Sequence, residues 1–186
     1  MTRLDDKLRD LRIARVLALV PDGSRVLDVG CRDGTLFKMM GSRLGEGVGI
    51  DADLDGVVTE GRFKLVPGWF PKDLPDDVGQ FDAITMLALF EHIPPEAQDD
   101  VVASCRRLLK PGGRVVMTVP SKQVDTILDV LEKVKLVQDD SIHQHYGFDA
   151  KKDTEPLFQR GGFVTQHRKA FQLGLNNLFC FTVAAD

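Results

Sequence analysis

Apolar positions along the chain switch repeatedly between helical and strand spacing. Leu4, Leu8, Leu11 and Ala18 recur near one helical face, which predicts an amphipathic N-terminal helix ending at the turn signal Pro21-Asp22-Gly23. Ser24 to Gly30 then reads as a short buried strand, Gly47 to Asp51 as a second and Phe63 to Val66 as a third. Helical patterns at Thr35 to Ser42 and Leu54 to Glu60 separate them. Phe81 to Leu87 is a fourth run, nearly all apolar, as a parallel strand buried on both faces should be. Pro94-Pro95 opens a helix whose apolar stripe is Ala97, Val101, Val102, Cys105, Leu108 and Leu109. Lys110 to Gly113 ends that helix, and Arg114 to Val119 is the fifth strand.

The pattern changes after Val119. Val124, Ile127, Leu128, Leu131 and Val134 predict an amphipathic helix, followed by the polar stretch QDDSIHQHYG. A short helix near Asp153 to Gln159, a Gly161-Gly162 stop and two β-like runs, Phe163 to Ala170 and Leu178 to Val183, finish the chain. The connection between those runs is too short for a helical crossover, so they should pair antiparallel. The expected fold is α/β: a doubly wound, seven-stranded, mostly parallel sheet with an antiparallel last strand and helices on both faces. Residues 1–186 read as one domain, with 121–148 inserted as a cap or lid.

Composition narrows the function. A chain of 186 residues that is 43% hydrophobic and 28% charged is an ordinary globular sequence long enough for a sizeable core. Its net charge of −4 leaves no large basic surface, which disfavours nucleic acid as substrate. Cys31, Cys105 and Cys180 lie far apart without a CxxC pair, which argues against a disulfide framework or a zinc site and fits a reducing cytoplasm. The charged start MTRLDDKLRD lacks the apolar core of a signal peptide, and no apolar stretch reaches membrane-spanning length. A soluble cytoplasmic protein without membrane contact is expected.

The chemistry concentrates in VLDVGCRDGTL, Val26 to Leu36. In open α/β sheets ligands bind beyond the carboxyl ends of the strands, where strand order reverses, and the loop Gly30 to Gly34 should lie there. Asp51 ends the second strand about twenty residues on, the position that grips a ribose diol in nucleotide-binding folds. To that point NAD and an adenosyl cofactor fit equally. The loop is not GxGxxG, however, so the dinucleotide fingerprint is missing. Asp28 and Asp33 also put carboxylates where a pyrophosphate needs positive potential. Two like charges at close range cost about 1 kcal/mol even in water-like surroundings. A ligand carrying ribose and cations but no phosphate suits the loop better.

VLDVGCRDG, GVGIDAD, FDAITMLALFEHI and LLKPGGRVVMTVPS, in that order and spacing, resemble the motifs of class I S-adenosylmethionine-dependent methyltransferases. The N-terminal part is most similar to small methyltransferases named for methionine biosynthesis, and HQHYGF to quinone-type O-methyltransferases. The resemblance implies S-adenosylmethionine as cofactor and S-adenosylhomocysteine as product. It implies that Gly30 and Gly34 let backbone approach the cofactor, with Cys31 and Arg32 between them, and that Asp28 helps hold its ammonium group. Asp51, followed by Ala52, would take both ribose hydroxyls, and Met86 and Leu87 would line the methionine portion. Two positions depart from the family pattern. Arg32 replaces its middle glycine, so the backbone there must accept a side chain. Trp69 stands where an adenine-binding Asp is common, and Trp69 or Phe70 could pack on the ring instead.

A sulfonium methyl is already activated, so alignment of nucleophile, carbon and sulfur is the main task. A hydroxyl or amine acceptor also needs its proton removed, for which His145 is the first candidate and His92 the second. His143 and His145 alternate, but no carboxylate or cysteine cluster accompanies them, so no metal is expected. The leading expectation is methyl transfer to the oxygen or nitrogen of a small-molecule acceptor. The alternatives are a catalytically silent methyltransferase-fold subunit that binds a partner protein, motivated by Arg32 and Trp69, and a nucleotide-dependent oxidoreductase.

Overall fold

The computed structural model describes residues 3–121, 149 and 152–184. Helix α1 (Arg3–Leu17) leads into β1 (Ser24–Val29), α2 (Thr35–Met40), β2 (Leu44–Asp51), β3 (Val58–Glu60) and β4 (Phe63–Pro67). Next come β5 (Phe81–Leu87), α3 (Pro95–Leu108), β6 (Leu109–Pro120), α4 (Thr154–Arg160), β7 (Phe163–Phe171) and β8 (Asn176–Val183). The strands form one eight-stranded sheet in the order β3-β4-β2-β1-β5-β6-β8-β7. β4, β2, β1, β5 and β6 run parallel, while β8 pairs antiparallel with both β6 and β7. Strand order reverses between β1 and β5, which makes their carboxyl ends the ligand position of a doubly wound sheet.

Strand residues alternate between two apolar layers, as the pleat requires. Leu27, Val29, Ile84, Met86, Val115 and Met117 face α3 and α4, joining Val101, Val102, Cys105, Leu157 and Phe158. Val26, Ala83 and Val116 face the other way, against Ile13, Val16 and Leu17 of α1 and Leu36, Phe37 and Met40 of α2.

Three expectations are corrected. The buried face of α1 is Ile13, Val16 and Leu17, continued by Val20, whereas Leu11 is exposed and Ala18 lies past the helix end. The observed set follows the i, i+3, i+4, i+7 stripe more closely and is the one that meets the sheet. Leu54 to Glu60 is not a helix. Asp51 to Gly56 turns, and Val58–Glu60 forms a hairpin with β4, pairing Glu60 with Phe63 across a tight turn at Gly61-Arg62. A Val57-Val58-Thr59 run favours extended backbone, and Gly61 at φ 54 provides the left-handed corner. β3 is the additional strand, making eight where seven are expected. The predicted helix at Val124 to Leu136, and all of the 121–148 insertion beyond Ser121, lie outside the described residues.

Candidate functional site at the carboxyl ends of β1, β2 and β5

β1 delivers Asp28 and Gly30 to the sheet's carboxyl edge. The Gly30 amide donates to the Ile50 carbonyl at 2.9 Å, tying the loop to β2. At φ 77, a Cβ on Gly30 would stand 3.2 Å from the Leu89 side chain, so the loop and the segment after β5 meet in close packing there. Cys31 is buried against β2, and a Cβ on Gly49 would lie 2.6 Å from its Sγ. Burial and the carboxylates of Asp28 and Asp51 push the Cys31 thiol well above its ordinary range, which leaves it protonated packing material.

Arg32 adopts the left-handed backbone that its position demands, φ 47, with an exposed side chain. Its amide donates to Asp51 Oδ2 at 2.8 Å. The Asp53 amide donates to Asp51 Oδ1 at 3.0 Å, so two backbone amides hold one carboxylate with an oxygen each. A carboxylate has about four lone-pair positions, which leaves acceptor capacity on both oxygens for a diol. Ala52 is exposed in the turn between them. Gly34 opens α2 at φ 71, and Asp33 accepts the Thr35 hydroxyl at 2.6 Å and the Thr35 amide at 3.2 Å. Burial works to raise the Asp33 carboxyl, but those bonds and the Arg9 charge outweigh it and hold it below its ordinary value.

Asp28 is buried and accepts the Thr85 hydroxyl at 2.6 Å across the β1–β5 pairing. Loss of solvent is the main force pushing its carboxyl up to about 7; the Thr85 bond opposes this and the Asp51 charge adds to it. Met86 is fully buried in the core on the α3 side, and the half-buried Leu87 is the member of that pair nearer the mouth. Ala88 turns the chain at φ 51, its amide donating to the Thr118 carbonyl at 2.9 Å and to Thr118 Oγ1 at 3.2 Å.

Beyond β4, the Gly68 amide donates to the Asp51 carbonyl at 3.0 Å. The Trp69 amide donates to Asp73 Oδ2 and the Asp73 amide returns to the Trp69 carbonyl, both at 2.8 Å. This small braced loop, which includes a cis Phe70-Pro71 bond, leaves Trp69 71% exposed. Core packing of Trp69 is thereby excluded, whereas Phe70 leans on the core. A 3-10 turn at Phe90–His92 follows β5, with Glu91 buried and the His92 ring exposed, its Nε2 3.9 Å from Glu91 Oε1. His143 and His145 lie outside the described residues.

The fold thus gathers Asp28, Gly30, Cys31, Arg32, Gly34, Asp51 and Leu87 at one edge, with Trp69 and His92 on its rim. Sequence reasoning missed Thr85, Thr118 and Leu89. The signal available for Thr85 was its place as a lone hydroxyl in the otherwise apolar ITML.

A family model described as a methyltransferase domain matches residues 2–168. Among curated proteins, a Pseudomonas aeruginosa ubiquinone biosynthesis O-methyltransferase is 33% identical over 107 residues, covering 52% of this chain and 44% of that protein. A Vibrio parahaemolyticus protein of the same description is 26% identical over 137 residues, covering 68% and 57%. The chain spans about half the length of these curated relatives. Among solved structures, the calicheamicin-biosynthesis methyltransferase CalO1 in its SAH-bound form has a TM-score of 0.62 at 22% identity, covering 95% of this chain and 55% of that one. The likeness to CalO1 is one of fold. With its family match and its doubly wound sheet, the chain belongs to the class I S-adenosylmethionine-dependent methyltransferases.

Proposed function

We propose that this chain transfers the methyl group of S-adenosylmethionine to an oxygen of a small-molecule acceptor. The observation that carries the cofactor part is the Asp51 carboxylate at the carboxyl end of β2, held by the Arg32 and Asp53 amides with lone pairs to spare. The residues present fit that cofactor. Asp51 would take the ribose diol through charge-assisted bonds, the buried Asp28 would face its cationic portion, and the indole of Trp69 would stack on the adenine. A pyrophosphate, in contrast, would meet the carboxylates of Asp28 and Asp33.

Bound there, the cofactor supplies a methyl already activated by sulfonium charge. This chain's own residues align the acceptor and take its proton. His145, outside the described residues, is the first candidate for that base, and His92, exposed beside the buried Glu91, is the second. Oxygen as the acceptor atom is supported by the description of the curated relatives as O-methyltransferases. Arg32 and Trp69, which motivate a silent subunit, are both exposed instead of plugging the loop.

Calorimetric titration with S-adenosylhomocysteine and with NAD tests the cofactor part. Saturable binding of the first and no response to the second are expected. Asp51→Ala should lower that affinity at least about tenfold, the scale of one charge-assisted pair; an unchanged affinity removes Asp51 from the ribose role.

A further inference from the structure

Asp28 has one neighbour that the cofactor reading leaves without a role. In the sheet it stands between Gly49 of β2 and Thr85 of β5, its register partners on either side. Val26 and Ala83, two residues earlier on their strands, face α1 and α2, so the side chains of Asp28 and Thr85 point into that same layer. Gly49 brings no side chain, and the space that a Cβ would take there is filled by Cys31 Sγ. Lateral support for the carboxylate therefore comes from β5. Thr85 is fully buried.

A threonine hydroxyl carries one proton. Two acceptors lie within reach of Thr85 Oγ1, Asp28 Oδ1 at 2.6 Å and the Leu27 carbonyl at 3.4 Å. The shorter distance is that of a hydroxyl donating to a carboxylate, so the proton goes to Asp28. Oδ1 is thereby engaged, and among the described residues no hydrogen bond reaches Oδ2. Burial and the Asp51 charge both favour the protonated carboxyl, and the Thr85 bond opposes them. The Cys31 thiol on the adjoining loop stays protonated and brings no charge to it. Packing alone does not call for this hydroxyl. Valine has nearly the same shape and enters such a position without the cost of burying a polar group. Threonine offsets that cost through the bond to Asp28. A buried carboxylate is itself unfavourable for folding, so the pair serves a ligand rather than the core.

We propose that Thr85 is a positioning residue for the cofactor: by engaging Oδ1 it holds the Asp28 carboxylate with Oδ2 left to take the ammonium group of the methionine portion. This rests on the cofactor reading above, and Thr85 acts through Asp28 without touching the ligand. The probes are S-adenosylhomocysteine and 5′-methylthioadenosine, which keeps the adenosine and the sulfur but lacks the amino-acid portion. Calorimetry on the full chain at pH 8 compares the parent with Thr85→Val. A loss of about tenfold in affinity for S-adenosylhomocysteine, with methylthioadenosine unchanged, is expected, and Thr85→Ser should restore it. In an Asp28→Ala background no buried carboxylate remains to be supported, and there Thr85→Val should cause no further loss. Equal losses for the two ligands mean that Thr85 only supports the loop, and they overturn the proposal. So does an unchanged affinity in Thr85→Val, or a loss that persists in full in the Asp28→Ala background. Each of these outcomes leaves the parent's binding of S-adenosylhomocysteine, and with it the cofactor reading, intact. Absence of that binding in the parent overturns both.

Discussion

At Asp28 a carboxyl is kept where water does not reach it, with one hydroxyl for company. The ordinary value of 3.8 applies to the unfolded chain and about 7 to the folded one, so the folded state holds the proton throughout that interval. The group's contribution to stability is therefore greatest at low pH, falls as pH rises from about 4 to about 7, and is level above. Asp28→Asn should abolish this fall and be more stable than the parent at pH 8 by about 2–4 kcal/mol, while the two converge near pH 4. Urea denaturation at the two pH values measures it; equal stability at pH 8 would mean that the buried carboxylate is already compensated. A destabilised acid facing a cationic ligand is the usual exchange of stability for binding. Asp28 and Asp51 were legible in the sequence because each is a lone acid at or next to the end of an apolar run. Thr85 was not, since its partner lies 57 positions away and only the β1–β5 register brings them together.

Among elements, β2 shows how a strand can be shaped to receive a loop. Its glycines in LGEGVGID are sites of close approach: a Cβ at Gly47 would come within 2.7 Å of Phe63, and one at Gly49 within 2.6 Å of Cys31 Sγ and 2.7 Å of Leu65. Gly49→Ala must therefore displace the Gly30 loop or the β4 layer, at a cost of about 1–3 kcal/mol. Chemical denaturation should show that loss, accompanied by weaker S-adenosylhomocysteine binding because Cys31 carries the loop. Loss of stability with binding intact would mean that Leu65 yields instead. The GVGID motif was visible, but its reason was not, because the neighbours that forbid side chains belong to α2, β4 and the glycine loop. β3 escaped for a related cause: three exposed residues leave no buried face to read, and pairing with β4 alone makes them a strand.

Across the whole molecule, the α3-side core joins the far sheet edge to the site. Phe158 of α4 stacks on Phe181 with ring centroids 4.3 Å apart and also meets Phe163 at 5.4 Å and Phe90 at 5.6 Å. Phe90 begins the turn that carries Glu91 and His92. Phe158→Ala should cost about 3–5 kcal/mol in equilibrium unfolding, the range for a fully buried aromatic. A loss below about 1 kcal/mol would show that α4 is not integral to this core. What the sequence by itself determined is the alternation of strands and helices, the acids Asp28 and Asp51 at or next to the ends of two apolar runs, and the carboxylates of Asp28 and Asp33 that disfavour a pyrophosphate ligand. Those depend on local periodicity and on residue chemistry within a few positions. Tertiary structure decided the strand order that puts the switch point between β1 and β5, the face of α1 that is buried, and the Thr85 bond to Asp28. It also decided the open setting of Trp69. Each of these depends on which distant segments become neighbours, and that is settled by packing the two apolar layers against one twisted sheet rather than by any short stretch of chain.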